Sequence, residues 1–153
     1  MNYWMLLWNP NESLSEQEFL TWIEENNGIG DWSVGRLPVK RGDLCFIRRC
    51  RTDPGIVTYG NVTSEAYPSD HWRLHHGTET DHQKPQENFA DVIFQEWSLD
   101  RPILVSALKL LGFGHLPWRS RQPTPISLND GAALKAICDS IWKTFKPRKQ
   151  RKH

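Results

Sequence analysis

At 153 residues the chain suits a single domain, long enough to bury about two-thirds of its unfolded surface without disulfide or metal staples. Its three cysteines, Cys45, Cys50 and Cys138, are an odd number without metal-ligand spacing, which argues against a disulfide framework or a zinc site and suits a reducing cytoplasm. A net charge of only +1 excludes a body that binds polyanions indiscriminately.

Tyr3 to Trp8 is a short apolar and aromatic run ended by Asn9-Pro10, and reads as a buried strand. It has no basic start and so does not read as a signal peptide, and no apolar stretch approaches the ~20 residues of a membrane span. Ser15-Glu16-Gln17-Glu18 is a capping box opening a helix with Phe19, Leu20 and Ile23 on one face, stopped by Asn26-Asn27-Gly28. Residues 29–40 read as a loop holding Asp31-Trp32-Ser33-Val34-Gly35-Arg36 and Pro38. Arg41-Gly42-Asp43 is a turn into the strand 44–49, and Thr52-Asp53-Pro54-Gly55 a second turn into the strand 56–62, together a hairpin.

Residues 63–88 are polar, rich in histidine and proline, and without either period, as in a surface loop or irregular hairpin. A strand follows over 89–97. Asp100 caps a predicted short helix with Pro102 in its first turn, ending at Gly112. Pro117 to Arg121 is a basic turn, and 124–128 a last short strand. Asn129 or Asp130 caps a final helix, where Leu134, Ile137, Cys138, Ile141, Trp142 and Phe145 recur at helical spacing before Pro147. Residues 143–153 hold six basic side chains and no acid, leaving 13 basic against 18 acidic elsewhere, so 146–153 reads as a basic tail or linker after a domain over 1–145. Short strands joined by hairpins, with helices at the periphery, predict an α+β fold built on a small, mainly antiparallel barrel.

A tryptophan in a polar, glycine-punctuated loop forgoes the roughly 25 cal/mol per Å² that burial gives, so Trp32 is a candidate for stacking on a flat ligand. Trp4, Trp8 and Tyr59 lie on strands that can reach the same place. Arg36, Arg48, Arg49, Arg51, Arg119 and Arg121 sit at strand ends and in loops, from which guanidinium groups reach phosphates. His71-Trp72-Arg73 and His75-His76 can lie in a groove. A zinc site from His71, His75, His76 and His82 lacks cysteine partners and standard spacing.

At Tyr3 to Pro10, Trp32 to Arg36, Lys40 to Asp43 and Gly55 to Gly60, in that order and spacing, the chain resembles the EVE domain of the PUA-like superfamily. Relatives of that domain include the YTH domains, and the branch it looks most like precedes HNH nuclease domains in restriction enzymes directed at modified cytosine. The resemblance implies a PUA-like barrel that flips a modified base into an aromatic cage. Trp32, followed by Ser33, matches the cage tryptophan of a Trp-Ser motif. Asn9 matches a residue touching the base edge, with Ser33 and the backbone at Gly35 beside it. Trp72, Tyr59 and Phe46 compete for the opposite wall. Arg36, Arg48, Arg49, Arg51, Arg73, Arg119 and Arg121 are the expected phosphate contacts. The implied ligand is double-stranded DNA carrying 5-methylcytosine or 5-hydroxymethylcytosine, alternatively RNA carrying N6-methyladenine, with a possible nuclease domain or subunit as partner. No HNH motif is present, and no cofactor, metal or membrane is expected. Lacking a paired histidine and carboxylate at recognisable spacing, the chain reads as a cytoplasmic binding module rather than as a nucleoside hydrolase.

Overall fold

The computed structural model describes residues 1–69 and 87–144. Eight strands form one mixed sheet: β1 (Tyr3–Trp8), β2 (Ile29–Gly35), β3 (Leu44–Arg49), β4 (Gly55–Val62), β5 (Tyr67–Ser69), β6 (Glu87–Trp97), β7 (Ile103–Leu104) and β8 (Thr124–Ile126). Among the described residues three helices accompany it: α1 (Glu16–Glu25), the short α2 (Val105–Leu108), which runs into a π-helical turn at Lys109–Phe113, and α3 (Leu128–Thr144). Strand order is β2-β6-β4-β3-β1-β8, with β5 added to β6 and β7 to β4. All pairings are antiparallel except β1 with β3. The result is the expected α+β architecture, a sheet curled into a half-barrel. None of the described helices is long and apolar enough to cross a membrane.

Alternation along the central strands divides the core into two layers. Tyr3 and Met5 of β1 and Leu44 and Phe46 of β3 pack with α2 and α3. Trp4, Leu6 and Trp8, with Cys45 and Ile47, pack with Phe19 and Ile23 of α1. Successive side chains leave a strand on opposite faces, so a run apolar at every position belongs to a sheet covered on both sides. The capping box at α1 forms as predicted: Glu18 N donates to Ser15 Oγ (3.2 Å) and Ser15 N to Glu18 Oε1 (2.8 Å). Asn27 and Gly28 then take positive φ to end the helix. At Gly28 a Cβ would lie 2.4 Å from the Phe94 carbonyl oxygen, so only glycine fits the turn.

Several sequence expectations are corrected. Residues 29–35 are not a loop but strand β2, paired with β6 from Ile29↔Ile93 to Gly35↔Asn88. Inward Trp32 and Val34 alternate there with half-exposed Asp31, Ser33 and Gly35, a period-two pattern disguised by small and polar residues on the outer face. Within 63–88, read as a surface loop or irregular hairpin, β5 pairs antiparallel with the start of β6, which is the hairpin of the two. Asp100 does not open a helix: Ile103 and Leu104 first pair with Gly55 and Ile56, and the helix begins at Val105. Ser127 caps α3, its Oγ accepting from Asp130 N at 3.1 Å, two residues ahead of Asn129. The Lys40 to Asp43 motif has a structural task, since buried Asp43 accepts from Asn2 N, Trp4 Nε1 and Lys40 N and ties the turn to β1.

Candidate nucleic-acid interface

Because β1 and β3 run parallel, their C-terminal ends emerge side by side, with Leu7 beside Arg48 and Trp8 beside Arg49. Cys50 N extends the pairing by donating to Trp8 O at 2.8 Å. The end of β2 closes one flank, since the Trp32 indole N–H donates to Leu7 O at 3.0 Å although β1 and β2 lie four places apart in the sheet. The segment before β8 closes the other, where Arg48 Nη2 donates to Ser120 O at 2.7 Å. Between these parts lies an open cleft of about 810 Å³. That size falls within the usual range for small-molecule sites.

Asn9, Trp32, Ser33, Gly35 and Arg36, far apart in sequence from the arginines of the β3 end and the 119–121 segment, all line this one cleft. Trp32 is nonetheless only 4 % exposed, against the expectation of a free loop ring. Phe19 and Trp22 pack on it with ring centroids at 5.4 and 5.8 Å, so it offers the cleft an edge rather than an open face. Trp8 and Phe89, equally buried, complete the aromatic floor. A register shift after Ser33 and the left-handed Gly35 (φ +60°) turn the chain at the rim and carry Arg36 to the surface. Asn9 works partly as a turn residue, its Oδ1 accepting from Asn11 N at 3.0 Å.

Among the described residues five arginines line the cleft, Arg36, Arg48, Arg51, Arg119 and Arg121, against one carboxylate, Glu12. Arg51 meets Glu12 at 3.9 Å, but both side chains are more than half exposed, so the pair is screened and weak. Arg36, Arg119 and Arg121 are exposed. Arg48 is different: it is 5 % exposed, and among the described residues its guanidinium bonds Ser120 O and, at 3.7 Å, Cys50 Sγ. Burial lowers its pKa, and among the described residues it takes part in no ion pair.

Other expected site residues lie elsewhere. Arg49 faces away from the cleft, clamped by Glu16 (3.3 Å) and the carbonyls of Leu99 (3.0 Å) and Asp53 (3.1 Å). It is a structural cation. Phe46 and Tyr59 belong to the opposite layer of the core and do not border the cleft. The Tyr59 ring stacks on Trp142 at 6.2 Å and its hydroxyl donates to Asp139, while burial, followed by that bond, pushes its pKa up. Trp72, Arg73, His71, His75, His76, His82 and the basic tail lie outside the described residues. Among the described residues no cluster of three or more potential metal ligands exists. Sequence reasoning missed Phe89, Cys50 and Ser120, whose place in the cleft follows only from strand pairing and the Arg48 tether.

No family model matches the chain, and no curated protein matches it significantly in sequence. Solved structures do match in fold. A hypothetical protein from Leishmania major aligns over 92 % of this chain and 96 % of its own, at 18 % identity and a TM-score of 0.64. The human THYN1 protein, solved in complex with DNA containing 5-methylcytosine, aligns over 90 % of this chain and 97 % of its own, at 18 % identity and a TM-score of 0.62. The ASCH protein of Zymomonas mobilis aligns over 89 % and 95 %, at 12 % identity and a TM-score of 0.55. The chain thus has the α+β, PUA-like fold that these proteins share.

Proposed function

We propose that the chain reads a modified base, 5-methylcytosine or 5-hydroxymethylcytosine in double-stranded DNA, by drawing one nucleotide out of the stack into the cleft at the ends of β1, β2 and β3. The observation that carries this reading is the make-up of the cleft: an aromatic and aliphatic floor, polar groups on Asn9 and Ser33, and, among the described residues, five arginines around a single glutamate. The shared fold of THYN1, solved with 5-methylcytosine DNA, supports it.

Extruding a base costs a few kcal/mol of stacking and pairing. Full stacking on an aromatic face returns about 1–3 kcal/mol, but Trp32 has little face to give, so phosphate contacts to the arginines must supply much of the affinity. Selectivity falls to the base edge. A C5-methyl group seated against Leu7 and the Trp32 edge gains about 0.8 kcal/mol, roughly fourfold at 25 °C. Hydrogen bonds from Asn9 and Ser33 add discrimination, since one left unmade costs about 1–3 kcal/mol.

Fluorescence-anisotropy titration of matched duplexes carrying cytosine, 5-methylcytosine or 5-hydroxymethylcytosine tests the reading, with N6-methyladenine RNA as competitor. Modified duplexes are expected to bind at least about fourfold tighter, and RNA to compete poorly. Equal affinities for all duplexes would remove the proposal.

A further inference from the structure

Arg48 and Arg49 are neighbours at the end of β3, both buried, and both leave Nε without a hydrogen bond. Their surroundings differ in one respect. Arg49 has an acid, Glu16, whereas no carboxylate among the described residues pairs with Arg48. Glu12, the one acid lining the cleft among the described residues, meets Arg51 instead. A buried guanidinium is stable when an opposite charge and well-placed acceptors meet it, and among the described residues Arg48 meets a carbonyl and a thiol. These two contacts fix the orientation of the planar fork and leave further N–H groups unspent, the geometry suited to a planar or tetrahedral oxyanion. The remaining arginines of the cleft deepen the positive field around it.

We infer that the cleft takes a nucleoside phosphate rather than a bare base, with Arg48 as the ligand of the phosphate drawn inside, an assignment that rests on the nucleic-acid reading above. The phosphate belongs either to the DNA backbone at the extruded nucleotide or to a free mononucleotide; both offer the same oxyanion to the same fork. Arg36, Arg51, Arg119 and Arg121, exposed at the rim, then contact flanking phosphates in solvent.

Cys50 reports on this site, since its Sγ lies 3.7 Å from Arg48 Nη1 and it is half-buried, while Cys45 and Cys138 are fully buried. Calorimetric titration compares 5-methyl-2′-deoxycytidine 5′-monophosphate, its nucleoside and inorganic phosphate, while mass spectrometry follows alkylation of Cys50 by iodoacetamide. The monophosphate is expected to bind at least tenfold tighter than the nucleoside, and both it and inorganic phosphate to slow Cys50 alkylation. Arg48→Lys should lose most of that difference, and Lys109→Ala, which removes an exposed charge away from the cleft, should keep it. The alkylation arm uses the unaltered protein, so it stands even where substitution at Arg48 harms the fold. Equal affinities for nucleoside and monophosphate, with Cys50 alkylation unmoved by mononucleotide and oligonucleotide alike, overturn the assignment. If modified duplexes are still preferred under that result, base reading survives and only Arg48 loses its role. If the monophosphate is preferred but duplexes are not discriminated, base reading falls and the phosphate ligand stands. An oligonucleotide that protects Cys50 where the mononucleotide does not assigns the phosphate to the DNA backbone.

Discussion

Trp32 spends most of its surface on Phe19, Trp22 and the core, and its indole N–H closes the gap between β2 and β1. A ring held this way is a rigid edge of the cleft and cannot swing onto a ligand. Trp32→Phe preserves much of the apolar burial but leaves the Leu7 carbonyl without its donor, an expected loss of about 1–3 kcal/mol. Trp32→Ala opens a cavity as well and should lose about 3–5 kcal/mol. Urea unfolding measures both, as a lower midpoint at unchanged slope. A Trp32→Phe protein as stable as the parent would mean that the Leu7 carbonyl finds water in the cleft.

At the scale of single elements, β2 ends in a bulge and α3 is pinned to the sheet. Gly35 has φ +60° with only the Pro123 ring near a Cβ, at 3.4 Å, so strain at Gly35→Ala is conformational and about 1–2 kcal/mol. Gly28→Ala adds a collision with the Phe94 carbonyl and should destabilise more. Gly35→Asn, a residue that tolerates the left-handed region, should restore most of the loss. Thermal unfolding of the three variants gives the order, and Gly35→Ala more damaging than Gly28→Ala would contradict it. Asp139 on α3 accepts from Tyr59 on β4 and from Lys135 at 2.8 Å. Burial works to raise its pKa, but the bonds from Lys135 and Tyr59 outweigh it and hold the carboxyl below the ordinary 3.8. A carboxylate depressed in the folded state stabilises above its unfolded pKa, and the contribution is lost as pH falls through the folded value. The gap in Tm between the parent and Asp139→Asn should therefore be full near about pH 6 and shrink progressively below about pH 4. A gap that stays constant into strong acid would show that the ionised form of Asp139 contributes nothing.

Taken as a whole molecule, the chain combines a nearly neutral composition with a cleft whose lining, among the described residues, carries five cations and one anion. Nucleic-acid affinity should accordingly fall with salt, with a log-log slope of up to about −4.5 if each of the five neutralises one phosphate. Arg119→Ala should flatten that slope by about 1. Titrations at several salt concentrations read it directly. A slope near zero would exclude phosphate contact through these arginines, and one steeper than about −4.5 would bring in the basic residues beyond Thr144.

Much of this fold was legible locally. The capping box at Ser15, the Arg41 to Asp43 turn and the hairpin of β3 and β4 depend on contacts between near neighbours or on side-chain period, and both are written in the residue order. Asn9, Trp32, Ser33, Gly35 and Arg36 were also identifiable as residues that converge, through the resemblance and through their unusual placement. Residue order by itself did not determine the face on which each one ends. Phe46 and Tyr59 were open candidates for a ligand pocket until strand register put them in the layer opposite Trp8, and Arg48 and Arg49 were indistinguishable until Arg49 met Glu16 and Arg48 lined the cleft. A shift of one position along a strand sends a side chain to the opposite side of the sheet. Only pairing between distant segments sets that position, so tertiary structure decided which arginine met an acid and which lined the cleft.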